Sequence, residues 1–275
     1  MTDIITSTQN PRIKAVVDLH HARARRESGQ MLIDGAREIG RAIDAGIQID
    51  EAYFCPDRLD GGQVKNLVGR LQETGCAMIA VSDRVYDKIG YGERSDGIVA
   101  VARRPVRRLE ECAPKEAALI GVIDGLEKPG NIGAIVRTAD AARVTGIVVT
   151  DPASDPFGPN AIRASTGAIF NVPLVEAEAV AAREFLEKRK IQIIAADSEA
   201  TTSFLDIDLT KPTAVVLGSE ARGLTDTWRN IATAARVPMF GRVDSLNVSV
   251  TAAIIFYEAL RQRLQLDRND AAKHK

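Results

Sequence analysis

The chain is poor in the residues on which many enzymes depend. Its 275 residues include three histidines, His20, His21 and His274, and only 4% aromatics. None of the histidines lies between residues 115 and 264, so a Ser-His triad or a histidine-based metal centre there is close to excluded. Cys55, Cys76 and Cys112 are odd in number and form no CxxC pair. That argues against a disulfide or zinc framework, and for a reducing cytoplasm. No apolar run approaches the roughly 18 residues of a membrane span, and Met1-Thr2-Asp3 does not begin a secretory signal. Neither GxxxxGK[ST] nor GxSxG occurs, and Gly125, Gly130 and Gly133 do not have the GxGxxG spacing of a dinucleotide site. No metal is expected.

What is present is an ordinary globular composition, 45% apolar and 27% charged, long enough for one large or two ordinary domains. The net charge of −1 is uninformative, but its distribution is uneven. Arg12, Lys14, Arg23, Arg25 and Arg26 outnumber the acids of the N-terminal stretch, and Arg103, Arg104, Arg107 and Arg108 cluster further on. Such local excess can contact phosphates, although a solvated face would look the same.

Two α/β blocks follow from hydrophobic patterning. In the first, strands at Met31–Asp34, Ile49–Phe54, Ala77–Ser82 and Gly97–Arg104 alternate with helices at Ala36–Ala45 and Gly62–Thr74. The alternation predicts a mostly parallel sheet with helices on its faces. "RRPVRRLEECAPKEA", Arg103–Ala117, reads as a linker. In the second, strands at Ala118–Leu126, Gly146–Thr150, Ile191–Asp197, Thr213–Glu220 and Ala235–Met239 alternate with helices at Ile132–Ala142, Ala161–Thr166 and Ala179–Lys190. A long amphipathic helix, Thr251–Leu264, completes the block, and the residues after Leu266 read as a frayed polar tail. The resulting division is 1–105, a linker 106–117, a second domain 118–266 and a tail 267–275.

Three polar clusters follow apolar strands of the second block, where ligands of open α/β sheets gather. They are "NIGAIVRTADA" (Asn131–Ala141), "VVLGSEARGL" (Val215–Leu224) and "VPMFGRVDSLNVSVTAAIIFYEA" (Val237–Ala259). Singly, each has a plain alternative: Arg137 as a surface arginine, Gly218 as a tight turn, Ser245 as a helix cap. Together and in this order they resemble the three motifs of the SpoU/TrmH family of RNA ribose 2′-O-methyltransferases. The likeness includes "IRASTGAIFNVP" (Ile162–Pro173), and "MLIDGAREIGRAIDAGIQIDEAYF" in the first block resembles that family's substrate-binding domain.

The resemblance implies a SPOUT-type α/β domain with a parallel sheet and a deep trefoil knot, preceded by a smaller α/β/α RNA-binding domain. It implies an S-adenosylmethionine pocket made by Gly218, Val237 and Leu246, with Leu217, Met239 and Ala196. Asn131, Arg137, Glu220, Ser245 and Asn247 match the family's polar active-site positions. Ser245 and Asn247 would face the ribose, with Asn247–Val250 forming the first helical turn and Val248 packed inward. The family offers Arg137 as general base, yet a guanidinium stays protonated in almost any protein site, its pKa lying above about 12. The alternative is that Arg137 clamps a neighbouring phosphate and orients the 2′-hydroxyl. Arg163 is a candidate phosphate contact beside Arg12, Lys14 and Arg25. A cytoplasmic homodimer acting on RNA is expected, on 23S ribosomal RNA before tRNA; a non-catalytic RNA-binding protein is the competing reading.

Overall fold

The computed structural model describes residues 4–59, 62–92, 96–114, 118–219 and 223–273. Its residues divide into two compact units, one comprising 1–105 and 157–171, the other 106–156 and 172–275.

In the first unit, Asn10 accepts from the Arg12 N–H and Pro11 opens α1 (Pro11–Asp18), a polar cap followed by a residue already preset for helix. Then come α2 (Ala22–Ser28), β1 (Gln30–Asp34), α3 (Ala36–Asp44), β2 (Ile49–Phe54), α4 (Gly62–Glu73), β3 (Ala77–Ala80), α5 (Asp83–Ile89) and β4 (Ile98–Arg103). The sheet order is β1-β4-β2-β3. Only β2 and β3 run parallel, whereas β4 lies between β1 and β2 and is antiparallel to both. The expectation of a mostly parallel sheet is therefore wrong for this unit. Patterning distinguishes strand from helix, but it does not say from which end the chain re-enters the sheet. One apolar layer, including Ile13, Val16, Leu32, Tyr53, Tyr86 and Val101, is buried between the sheet and α1 and α5. Burial of each large apolar side chain in this layer contributes about 1.5–3 kcal/mol.

Residues 157–171 cluster with this unit although they lie between two strands of the other. Phe157, Ile162, Ile169 and Phe170 are buried there, and a helix (Pro159–Ala164) contacts β1. Arg41 Nη1 donates to the Thr166 carbonyl at 2.5 Å and to its hydroxyl at 2.9 Å. The sequence reading assigned these residues to the second block because their neighbours in the chain belong to it.

In chain order there follow α6 (Leu109–Cys112), β5 (Leu119–Asp124), α7 (Pro129–Ala141) and β6 (Gly146–Thr150) of the second unit, α8 (the helix Pro159–Ala164 of the first unit), and β7 (Leu174–Ala177) of the second. These are followed by α9 (Ala179–Lys188), β8 (Gln192–Ala196), β9 (Thr213–Leu217), α10 (Asp226–Arg229), β10 (Thr233–Ala235) and α11 (Val248–Lys273). All pairings in the second unit's sheet, ordered β10-β8-β9-β5-β6-β7, are parallel. β5, β6 and β9 are buried at every position, as strands covered on both faces must be. The chain begins at β5, builds outward to β7, then returns to the opposite side, so β5 and β9 flank the point where strand order reverses. Open α/β sheets take their ligands at the carboxyl ends beside that point. α11 packs against α7 and β9, and Arg263 ties it to the carbonyls of Leu209, Lys211 and Ala118 at 2.9–3.0 Å. The helix continues through Lys273, across residues that the sequence reads as a polar tail.

Candidate active site

The carboxyl ends of β8, β9 and β10 and the chain leading into α11 enclose a cavity of about 550 Å³. Its apolar lining includes Ala196 and Leu217, the last residues of their strands, with Val237, Met239 and Leu246 from the segment before α11. Gly218 continues the wall. A Cβ built on it would lie 2.6 Å from the Gly223 carbonyl carbon and oxygen and 2.8 Å from the Leu224 nitrogen, all backbone atoms. Only glycine fits there without moving the main chain. Ser219 and Gly223 exchange backbone hydrogen bonds of 3.1 and 2.8 Å, which close the loop beside the cavity. All six residues expected to hold the cofactor thus border one space, and Ser245 borders it too.

Asp124, 1% exposed at the end of β5, holds the chain just after Leu224. One carboxylate oxygen accepts from the Thr150 hydroxyl at 2.8 Å and the other from the Thr225 N–H at 3.1 Å. Sequence reasoning missed Asp124, although an acid ending a fully apolar strand was a signal for it. It also missed the polar part of the cavity rim, Asp197, Glu199, Arg229 and Asp244. Asp197 and Glu199 directly follow β8, and only the closing of the sheet brings them to the other motifs.

Asn131 lies in the first turn of α7, and Asn247 immediately precedes α11. The Asn247 amide donates to Asn131 Oδ1 at 3.3 Å. Its own Oδ1 accepts from the Ser249 N–H at 2.9 Å and from the Ser249 hydroxyl at 2.7 Å. Asn247 is therefore the N-cap of α11, the role the sequence reading gave to Ser245. The expectation that Asn247 already lies within the first turn is corrected by one residue. Val248 opens the helix and, at 8% exposed, faces inward as expected.

Arg137 lies exposed on α7 and makes no hydrogen bond or ion pair with Asn131, Ser245, Asn247 or any other described residue. Glu220 lies outside the described residues.

The basic residues proposed for RNA separate sharply. Arg25 is buried, with Nη1 donating to the carbonyls of Leu19 and His20 at 2.7 and 3.0 Å, where it satisfies the end of α1. Its charge is turned inward, so the first-block arginine excess overstated the free cations. Arg163 is only 25% exposed and lies 3.6 Å from the buried carboxylate of Asp34. Gly92 makes room for its guanidinium, since a Cβ there would stand 2.2 Å from Nη1. Burial is the largest influence on the Asp34 carboxyl and pushes it up to about 6, against the lowering effects of the Tyr91 N–H and Arg163. Arg12 remains half exposed, 3.3 Å from Glu51, and Lys14 is exposed.

Among the described residues, no cluster of three or more His, Cys, Asp or Glu could hold a metal, and no helix is long and apolar enough to cross a membrane.

A parallel sheet with a cavity at the carboxyl ends of its strands, lined largely by apolar groups, defines a cofactor-binding α/β domain. Residues 118–257 match the SpoU rRNA Methylase family, and residues 10–100 match the MRM3-like substrate binding domain. A 23S rRNA (guanosine-2′-O-)-methyltransferase RlmB of Xylella fastidiosa is 34% identical over 81% of this chain and 94% of its own. A 23S rRNA (uridine(2479)-2′-O)-methyltransferase of Streptomyces viridochromogenes is 29% identical over 90% of this chain and 88% of its own. The crystal structure of the SpoU methyltransferase AviRb from Streptomyces viridochromogenes in complex with AdoMet superposes with a TM-score of 0.87 at 29% identity, covering 93% of this chain and 99% of that one. The chain belongs to the SpoU rRNA methylase family.

Proposed function

We propose that this protein is an S-adenosylmethionine-dependent RNA methyltransferase that modifies a ribose 2′-hydroxyl in 23S ribosomal RNA. The observation that carries the reading is the convergence of Ala196, Leu217, Gly218, Val237, Met239 and Leu246 on one cavity, one residue along the chain from the Asn247–Asn131 pair. A cavity of about 550 Å³ lined by Leu217, Gly218 and Leu246 among others suits an adenine nucleoside, which these residues would hold. The Xylella fastidiosa and Streptomyces viridochromogenes relatives are named for guanosine and uridine respectively, so the family does not fix the base.

Bound S-adenosylmethionine would supply a methyl group activated by its positive sulfur. The chain's own residues have to align the 2′-oxygen and manage its proton. Asn131 and Asn247, held by their mutual hydrogen bond, present an amide pair rigid enough to orient a ribose. Ser245 borders the cavity two residues before the cap. Arg137, without an internal partner among the described residues, is free to engage the phosphate next to the target ribose and stabilise the charge that develops on the oxygen. Glu220 belongs to the same polar set by its motif position.

The same reading includes a trefoil knot in the domain 118–266, joined by the linker 106–117 to the RNA-binding residues 1–105 and followed by the tail 267–275. The reading also places the protein in the cytoplasm as a homodimer formed through the knotted domain, and exposed apolar side chains support the dimer. Phe240 is 99% exposed, and Val250, Tyr257 and Leu264 are spaced by seven on one face of α11. Incubation with tritiated S-adenosylmethionine and separate 23S rRNA and tRNA transcripts tests the assignment. Label is expected in 23S rRNA; label in tRNA alone would change the substrate, and label in neither, with cofactor bound, would overturn the function.

A further inference from the structure

A second cavity, about 250 Å³, lies between α3 and α4 of the first unit. Arg37, Gly40, Arg41 and Asp44 line it from α3, and Asn66 and Arg70 from α4. Arg37 and Arg41 are one helical turn apart, so their side chains share a face. Each of the three guanidiniums is fixed along part of its edge. Arg37 Nε and Nη2 donate to Glu38 at 3.1 and 2.5 Å, and Arg70 Nη2 donates to Asp44 at 2.5 Å. Arg41 Nη1 is taken by the Thr166 carbonyl and hydroxyl. The remaining N–H groups, on Nη1 of Arg37, Nε and Nη2 of Arg41 and Nε and Nη1 of Arg70, have no partner among the described residues.

The charges do not cancel. Glu38 offsets Arg37 and Asp44 offsets Arg70, whereas Arg41 meets only neutral oxygens. The groove therefore carries one uncompensated positive charge, with unused planar donors on three sides. Anchoring one edge of each guanidinium lowers the entropy lost when the other edge binds, and such forks match the oxygens of a phosphodiester.

We propose that this groove is a phosphate site for the RNA backbone and that Arg37, Arg41 and Arg70 set the register of the substrate on the first unit. The proposal rests on RNA being the substrate. It assigns recognition to residues that the charge pattern of the sequence did not single out, while Arg25 and Arg163 are engaged inward. Contacts of this kind position a substrate without reading its bases.

The test is filter binding of a 23S rRNA transcript to the full-length protein over a range of salt. Arg37→Gln and Arg70→Gln are each expected to weaken binding about three- to tenfold at about 0.1 M salt. Each should also reduce the slope of log affinity against log salt by about one. Arg70→Lys, which keeps the charge, is expected to retain the slope while losing part of the affinity. Wild-type thermal melting and S-adenosylmethionine affinity by calorimetry accompany these changes. Unchanged affinity and slope in both glutamine variants would overturn the proposal, as would equal loss in Arg70→Lys and Arg70→Gln with the slope intact. Inorganic phosphate that competes as well as a phosphate-matched RNA would assign the groove to a free anion and overturn it likewise. If the wild-type protein binds RNA with these salt effects but transfers no methyl group, the enzymatic reading fails and the groove stands.

Discussion

The Asn247 side chain joins two segments 116 residues apart, donating to Asn131 at 3.3 Å while its oxygen caps α11 through Ser249. One amide thus fixes both a helix start and the geometry of a site. Asn247→Ala removes both functions. It is expected to cost about 1 kcal/mol of stability, as lost caps do, and to abolish methyl transfer. Asn247→Asp keeps the acceptor that caps Ser249 but has no N–H for Asn131. Thermal melting should return near wild type in the aspartate variant, and methyl transfer should not; recovery of both would refute the orienting role.

Gly218 borders the cavity at the ends of β8, β9 and β10 with no room for a side chain. Gly218→Ala must displace Gly223 or Leu224 backbone, at about 1–3 kcal/mol. Calorimetry is expected to give a tenfold or greater loss of S-adenosylmethionine affinity. Wild-type affinity would mean that the cofactor does not lie against this loop.

Arg137 is exposed and makes no pairing with another described residue. Arg137→Ala should therefore change stability by less than about 0.5 kcal/mol, while methyl transfer falls by roughly 10² to 10⁴. Arg137→Lys separates the possible roles: a phosphate clamp keeps part of its effect as a point charge, and the planar fork does not survive. Activity of Arg137→Ala within a few-fold of wild type would favour an RNA-binding protein over an enzyme.

Asp34 makes stability depend on pH. Burial raises its carboxyl to about 6, against about 3.9 in an unfolded chain. A raised folded pKa means that the folded protein holds the proton more tightly. The resulting stabilisation is full below pH about 4 and is lost as pH rises through about 6. Arg163, Glu38, Asp96 and the Tyr91 N–H all act on this group. Asp34→Asn imitates the protonated acid. It is expected to be more stable than wild type at pH 8, by up to about 3 kcal/mol, and equal to it near pH 4. Urea unfolding at the two values decides; an advantage that does not change with pH would remove the titration from the account.

Much of the site was legible because its parts are local. A glycine after four apolar strand residues, and the run from Asp244 to Val248, keep their character whatever surrounds them. β5, β6 and β9 of the second unit were legible for the same reason, being buried at every position. By contrast β7, which carries the exposed Glu176, went unread, and the strand expected at Ala235–Met239 lies at Thr233–Ala235. What escaped depended on distant partners. The dual role of Asn247 needs Asn131, 116 residues earlier. The direction of β4 depends on where it inserts between β1 and β2. Arg25 looked like a free cation until the carbonyls of Leu19 and His20 enclosed it. The docking of residues 157–171 on β1 turns on Arg41 and Thr166, which nothing in either local sequence connects.

The central claim is that the methyl group goes to a ribose oxygen of RNA. It is tested most directly by digesting 23S rRNA to nucleosides after reaction with the protein and isotopically labelled S-adenosylmethionine, then analysing the products by mass spectrometry. The account predicts one labelled nucleoside carrying the transferred methyl group on the ribose, with the base unmodified. Label on a base, or no label from protein that binds the cofactor, would contradict it.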